Sequence, residues 1–247
     1  MNFLSNIFGK KEPKLPFDFS VFKTDMHSHL IPGIDDGSES LENSIEMIKE
    51  FASLGYTKLV TTPHIMSDYF KNSPETILPG LEKVKQALTE NNINITLEAA
   101  AEYYLDEFFI QKIKEKNILS FGKSYVLFEL PFMSEPPQLA ETTFELQMAG
   151  YKPILAHPER YGFWHNNLEK LQEQKDKGIL LQINLLSVIG HYGPEVQKAA
   201  EKLIENNLFD LVGSDCHRIQ HLEALKNATI KESILRKIEA RVINATI

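Results

Sequence analysis

Five histidines and four carboxylates stand where predicted β-strands give way to loops: His27, His29, Asp36, His64, Glu102, Glu129, His157, Asp215 and His217. Imidazoles and carboxylates with no thiolate among them are donors for divalent transition metals rather than for a structural zinc knot. His27 and His29 lie one residue apart in Thr24-Asp25-Met26-His27-Ser28-His29. On an extended backbone, side chains two apart share a face, so both imidazoles can grip one ion. Pro32-Gly33 then turns the chain, and Asp35-Asp36-Gly37 returns carboxylates to the same place. Taken singly, each residue has an ordinary explanation; a lone histidine such as His64 is often a hydrogen-bonded turn residue. Glu129 is harder to explain away, because a carboxylate between Phe128 and Leu130 in an apolar strand needs a charged partner or a metal. The repetition at six strand ends is what points to metal binding.

Nine donors exceed the roughly four to six that one divalent ion takes, and they fit two or three ions sharing carboxylates. Four carboxylates against three divalent ions leave a charge of about +2, suited to an incoming phosphate dianion and an ionised water. Clustered ions clamp the attacking and leaving oxygens of a phosphoryl transfer and lower the pKa of bound water. The donor set favours Mn, Fe or Zn. Thiol catalysis is a poor alternative: a phosphatase of the C-x5-R type needs an arginine six residues after its nucleophile, and after Cys216, the only cysteine, that position is Leu222.

Such donors need a frame that gathers strand ends. Leu41, Ile45, Ile48 and Ala52 form the stripe of an amphipathic helix that Gly55 stops, and Tyr56–Thr62 follows as a β-branched strand. Helix then strand recurs as 138–149 and 151–156, 167–177 and 179–184, and 194–206 and 208–212. Between them the pattern predicts helix 75–89, regular from Pro79-Gly80 onward, strand 93–99, a short helix 106–115 and strand 125–130. A last helix spans 222–240 with a break near Asn227. With a first strand over 22–29 the strands number seven, and only the one ending at Asn184 lacks a strong ligand. Strands apolar on both faces belong to parallel sheets covered by helices. The even helix–strand units favour a closed barrel, whose chemistry gathers at the carboxyl ends of its strands. Neither a GxGxxG nor a GxxxxGK[ST] pattern is present, so nothing suggests a dinucleotide or P-loop site.

The 247 residues, 43% hydrophobic and 24% charged, suit one domain over residues 21–247 behind an extension at 1–20. Phe3, Leu4, Ile7 and Phe8 stand at helical spacing in that extension, which is expected to fray or to dock on the surface, with a weak membrane or partner contact as the alternative. A net charge of −8 argues against a general nucleic-acid or anionic-membrane surface. No apolar run reaches the roughly 18–20 residues of a membrane-spanning helix, and the start lacks the apolar stretch of a signal peptide. One cysteine is compatible with a reducing compartment, so the expected location is the cytoplasm.

The motifs HSH, DDG, TPH, AEYY, FEL, AHPER and SDCH, in that order from Asp25 to His217, resemble the PHP (polymerase and histidinol phosphatase) superfamily. The nearer resemblance is to the bacterial manganese-dependent tyrosine phosphatases of capsule and exopolysaccharide gene clusters. It implies a distorted (β/α)7 barrel, a TIM-like fold, with a site for three metals and Mn as the first choice. It selects Asp36 over Asp35 and Glu102 over Glu98 as ligands, leaving Asp35 as a turn residue or a support behind the ligands. It places a phosphate-binding arginine at Arg160, whose fork of donors suits phosphate oxygens. Arg218, beside His217, is a second candidate. Where some relatives carry basic residues after the TPH-like turn, this chain has Ile65-Met66-Ser67-Asp68-Tyr69. Pro136-Pro137 and Phe163-Trp164-His165 are candidates for the rim of an aromatic-accepting pocket. The activity implied is hydrolysis of phosphotyrosine, on the tyrosine-rich tail of a bacterial tyrosine kinase. The alternatives are a small-molecule phosphomonoesterase of the histidinol-phosphatase type and a non-catalytic module with structural metals.

Overall fold

The computed structural model describes residues 12–247. The Phe3, Leu4, Ile7 and Phe8 stripe lies outside the described residues. The strands are β1 Lys14–Pro16, β2 Thr24–Asp25, β3 Lys58–Thr61, β4 His64–Ile65, β5 Thr96–Ala99, β6 Glu102–Tyr104, β7 Tyr125–Glu129, β8 Lys152–Ala156, β9 Leu180–Asn184, β10 Leu211–Gly213 and β11 Thr229–Lys231. All the pairings except β1 with β11 are parallel: β2-β3-β5 in one run and β10-β9-β8-β7-β6-β4 in the other.

The two runs are one ring. Pro63 has no N–H to give to a ladder, and it interrupts the second strand between β3 and β4, opposite Ala100-Ala101 between β5 and β6. The register survives the gap, since Thr61 faces Ala99 and His64 faces Glu102. The remaining seam, between β2 and β10, closes through backbone bonds from the Asp215 N–H to the His27 carbonyl (2.8 Å) and from the His29 N–H to the Cys216 carbonyl (2.9 Å). The seven strands expected from the sequence therefore stand in a closed parallel barrel, with the second and third each split in two. The first is shorter than expected: its ladder ends at Asp25, and the seam bonds hold His27 and His29 beyond it.

Helices α1 Leu41–Ser53, α2 Pro74–Glu90, α3 Glu107–Lys114, α4 Leu139–Met148, α5 Leu168–Asp176, α6 Leu185–Val188, α7 Pro194–Glu205, α8 Ile219–Lys226 and α9 Glu232–Arg241 complete the fold. The large apolar core includes Ile48, Phe51, Leu59, Val84, Phe128, Leu155, Ile183 and Leu203, drawn from strands and covering helices. A second cluster, with Met26, Val60, Leu127, Ile154 and Leu211, draws on residues from around the ring, which meet inside it.

Three local expectations change. Helix α2 runs unbroken from Pro74 through Pro79. The hydrogen bond that Pro79 forfeits would go to the carbonyl four residues back, at Glu75 in the first turn. Gly80 lets this helix press on the chain after His29, since a Cβ there would come within 2.4 Å of Ile31. The break near Asn227 holds a strand, β11, and α9 follows it directly. Of the N-terminal extension, β1 pairs with β11 and Phe17 and Phe19 enter the core, so its described part is bound into the fold.

Candidate metal centre

All nine predicted donors come together at the carboxyl end of the barrel, and they form overlapping groups. His27, His29, Glu102 and Asp215 offer atoms within 4.8 Å of one another; so do His29, Asp36, His64 and His217, and so do His64, Glu102 and Glu129. His29, His64 and Glu102 each belong to two groups, which is the sharing that closely spaced ions require. His157 joins at the edge, its Nε2 3.1 Å from Glu102 Oε1 and 3.9 Å from Glu129 Oε2. Glu102 and Glu129 are buried, at 0% and 4% exposure. Carboxylates so deep require compensation by positive charge.

The orientation of the imidazoles is fixed from behind. Gln182 Oε1 accepts from His27 Nδ1 at 2.8 Å, so Nε2 faces Glu102 Oε2 at 3.1 Å and Asp215 Oδ1 at 3.3 Å. Asp35 Oδ2 accepts from His29 Nδ1 at 2.7 Å, which turns His29 Nε2 toward the same two carboxylates, 3.5 Å from each. Nε2 of His29 and Nδ1 of His64 are buried without any hydrogen-bond partner. Buried polar atoms seldom remain unpaired. Two lone imidazole nitrogens aimed at carboxylates are what a cation between them would satisfy, so the residues fit divalent ions. Without such ions, protons take the place: burial disfavours a charged His27, but the Glu102 and Asp215 carboxylates outweigh it and hold the imidazolium up to about 9.

The backbone is strained at two of the donors. His157 (φ 36°) and Asp215 (φ 51°) occupy the left-handed region, where side chains other than glycine are uncommon. His157 also precedes Pro158, which disfavours helical backbone at the residue before it. Strain of this kind persists where the surroundings enforce it, often at functional sites.

Arg160 reaches the cluster, with Nη1 3.0 Å from Asp215 Oδ2. Its guanidinium lies between two rings, 4.4 Å from the centroid of Tyr192 and 5.0 Å from that of Phe132. Arg218 stays on the rim of the pocket, donating from Nε to His221 Nε2 at 3.1 Å. The cavity of about 800 Å³ is lined by seven of the nine donors, all but the fully buried His27 and His29, and by both arginines, Tyr69, Phe70, Phe132 and Tyr192. Cys216 is fully buried beside Met47, and burial pushes its thiol up, away from the thiolate that a nucleophile needs.

Of the residues behind the ligands, sequence reading reached Asp35, which the structure sets behind His29, and missed the two on β9. Strand β9 supplies no ligand, yet Gln182 aligns His27, and Asn184 Nδ2 donates to Asp215 Oδ2 at 2.7 Å. The signal was present: two amides two residues apart in the otherwise apolar Leu180-Leu181-Gln182-Ile183-Asn184 share a face and need buried partners. The expected aromatic rim is not where it was placed. Trp164 is buried with Nε1 on Glu135, and neither Phe163 nor Pro136-Pro137 lines the cavity.

The chain is similar to known proteins in both sequence and fold. It is 33% identical to CapC of Staphylococcus aureus over 196 residues, covering 79% of this chain and 77% of that one. It is 29% identical to the tyrosine-protein phosphatase YwqE of Bacillus subtilis over 197 residues, covering 79% and 78%. A solved structure from a study of YwqE and of CpsB from Streptococcus pneumoniae, described as unique metal-dependent tyrosine phosphatases, superposes with a TM-score of 0.76 at 28% identity, over 82% of this chain and 84% of that one. A resiniferatoxin-binding protein from Rhodobacter sphaeroides shares the fold alone, with a TM-score of 0.55 at 14% identity over 92% and 90% of the two chains. Residues 23–244, from just before the first barrel strand to just past α9, match one family, and the chain belongs to it: the capsular polysaccharide synthesis family CpsB/CapC.

Proposed function

We propose that this chain is a metal-dependent protein-tyrosine phosphatase of capsule biosynthesis. The observation that carries the reading is the set of three overlapping donor groups at the carboxyl end of the barrel, with Arg160 seated at their edge, in a member of the CpsB/CapC family. The relatives named tyrosine-protein phosphatases support the same substrate.

The nine donors named above would hold two or three divalent ions, with Mn as first choice and Fe or Zn as alternatives. When bound, such ions acidify a water and stabilise the charge developing on the phosphoryl oxygens. The chain's own groups do the rest. Gln182 and Asp35 keep the His27 and His29 rings aimed, and Asn184 holds Asp215. Arg160 offers a planar fork to the phosphate oxygens, and Arg218 on the rim stands ready as a second contact. The buried carboxylates exclude a phosphate dianion until cations offset them, which makes substrate binding depend on metal loading. The leaving phenol has a pKa near 10, so it departs without a strong acid.

No described helix is long and apolar enough to cross a membrane. We place the protein in the cytoplasm, with residues 21–247 as one catalytic domain and the phosphotyrosine-bearing tail of a bacterial tyrosine kinase as its substrate. The test is metal analysis coupled to a phosphopeptide assay. Protein loaded with Mn should release phosphate from phosphotyrosyl peptides, and His29→Ala should lose metal and more than roughly 100-fold in rate. A marked preference for small phosphate monoesters over the peptides would overturn the substrate assignment.

A further inference from the structure

Phe132 is a large apolar ring left 44% exposed at the mouth of a strongly charged cavity. It follows strand β7, three residues after Glu129. Its orientation is set by its neighbours: it is nearly parallel to the His157 ring (15°, centroids 6.1 Å apart) and tilted against Tyr161 at 5.5 Å, and the Arg160 guanidinium lies 5.0 Å from its centre. Phe70, another apolar ring lining the cavity, is half-buried and stacked on His64 at 5.4 Å. Tyr192, on the other side of Arg160, points its hydroxyl to Asp215 Oδ2 at 3.4 Å and so faces the polar floor. Phe132 is thus the ring held in place and still open beside the group that would take phosphate oxygens.

We propose that Phe132 is the residue by which this site selects aryl over alkyl phosphates, an inference that rests on the phosphatase reading above. A phosphate seated at Arg160 must carry its ester group out past the neighbouring lip. A phenyl ring there covers Phe132 and gains an aromatic contact, whereas a short alkyl chain leaves it wet. Tyr69, 79% exposed on the loop after β4, offers a second aromatic surface on the same cavity for the residues flanking the phosphotyrosine.

The experiment uses the full chain loaded with Mn and two non-hydrolysable probes, phenylphosphonate and propylphosphonate, as competitive inhibitors. An aromatic contact corresponds to roughly three- to tenfold in affinity. Phe132→Leu should weaken phenylphosphonate by about that factor and leave propylphosphonate nearly unchanged, and Phe132→Tyr should retain the wild-type ratio. Equal weakening of both probes would mean that Phe132 only props Arg160, and no weakening of either would mean that it does nothing; each overturns the proposal. Peptides of one sequence bearing phosphotyrosine or phosphoserine separate this from the broader reading. If the wild type prefers the phosphoseryl peptide, the tyrosine-phosphatase reading fails; if it prefers phosphotyrosine and Phe132→Leu keeps the phosphonate ratio, only this inference fails.

Discussion

Protons and cations compete for the same nitrogens. In the metal-free protein, His27 holds its proton up to about 9, because the Glu102 and Asp215 carboxylates beside it outweigh the cost of burial. Each ion that binds must expel such protons, so metal uptake should release protons below pH 9 and weaken as the pH falls from 9 toward 6. Calorimetric Mn titrations in buffers of different ionisation enthalpy count the protons released, and pH-independent uptake would contradict this account. Asp35 acts on the same balance from behind. Its carboxylate receives His29 Nδ1 and the backbone N–H groups of Gly37 and His64, so one residue sets one imidazole and the turn that carries Asp36. Asp35→Asn keeps the shape but weakens the acceptor, and it should lower metal affinity by roughly 10- to 100-fold without unfolding the chain. Competition with a metal-sensing dye, alongside circular dichroism, checks both halves of that statement.

Among the elements, β2 and β10 share no ladder, and side chains as well as backbone close the seam between them: Ser214 donates its N–H and hydroxyl to the Asp25 carboxylate at 2.8 and 3.0 Å. The seam's lower end is held by the Asn244 side chain, which accepts from the Val212 N–H at 3.0 Å and donates to the carbonyls of Thr24 (3.0 Å) and Val212 (2.7 Å). Asn244→Ala leaves those buried backbone groups unpaired, and it should cost roughly 2–3 kcal/mol. Urea unfolding with an unchanged slope and a lower midpoint is the expected result; a midpoint within error of wild type would show the clip to be idle. Nothing in the terminal Asn244-Ala245-Thr246-Ile247 announces this role, since the partners lie more than 30 residues away. The same distinction runs through the molecule. Helix stripes, glycine stops and strand ends were legible because they depend on neighbours in sequence, and the ligands were legible because reactive residue types sit at those ends. The split of the second and third strands, the β1–β11 pairing and the alignment of His27 by Gln182 depend on which distant segments meet, so periodicity could not supply them. Even so, the lone Gln182 and Asn184 in an apolar strand, like Glu129, were polar residues in want of partners.

At the scale of the whole molecule, metal binding and folding are one equilibrium. The group of His27, His29, Glu102 and Asp215 joins residues beyond β2, at the start of β6 and beyond β10. An ion there would therefore bridge the seam between β2 and β10. The unfolded chain scatters these donors over nearly 190 residues of sequence, from His27 to Asp215, and cannot reproduce the site. Ions that bind only the folded form stabilise it by RT ln(1 + [ion]/Kd), about 1.4 kcal/mol per site for each tenfold rise in concentration above Kd. Stability plotted against the logarithm of free Mn should therefore climb with a slope of about 2.7–4.1 kcal/mol per decade for two or three ions. Urea unfolding at a series of buffered Mn concentrations measures that slope, and excess chelator should return the protein to its metal-free baseline. His29→Ala removes a donor that two groups share, so its slope should fall by at least one site's worth, about 1.4 kcal/mol per decade. A wild-type slope of about 1.4 kcal/mol per decade would reduce the centre to a single ion and leave the overlap of the three groups without a purpose.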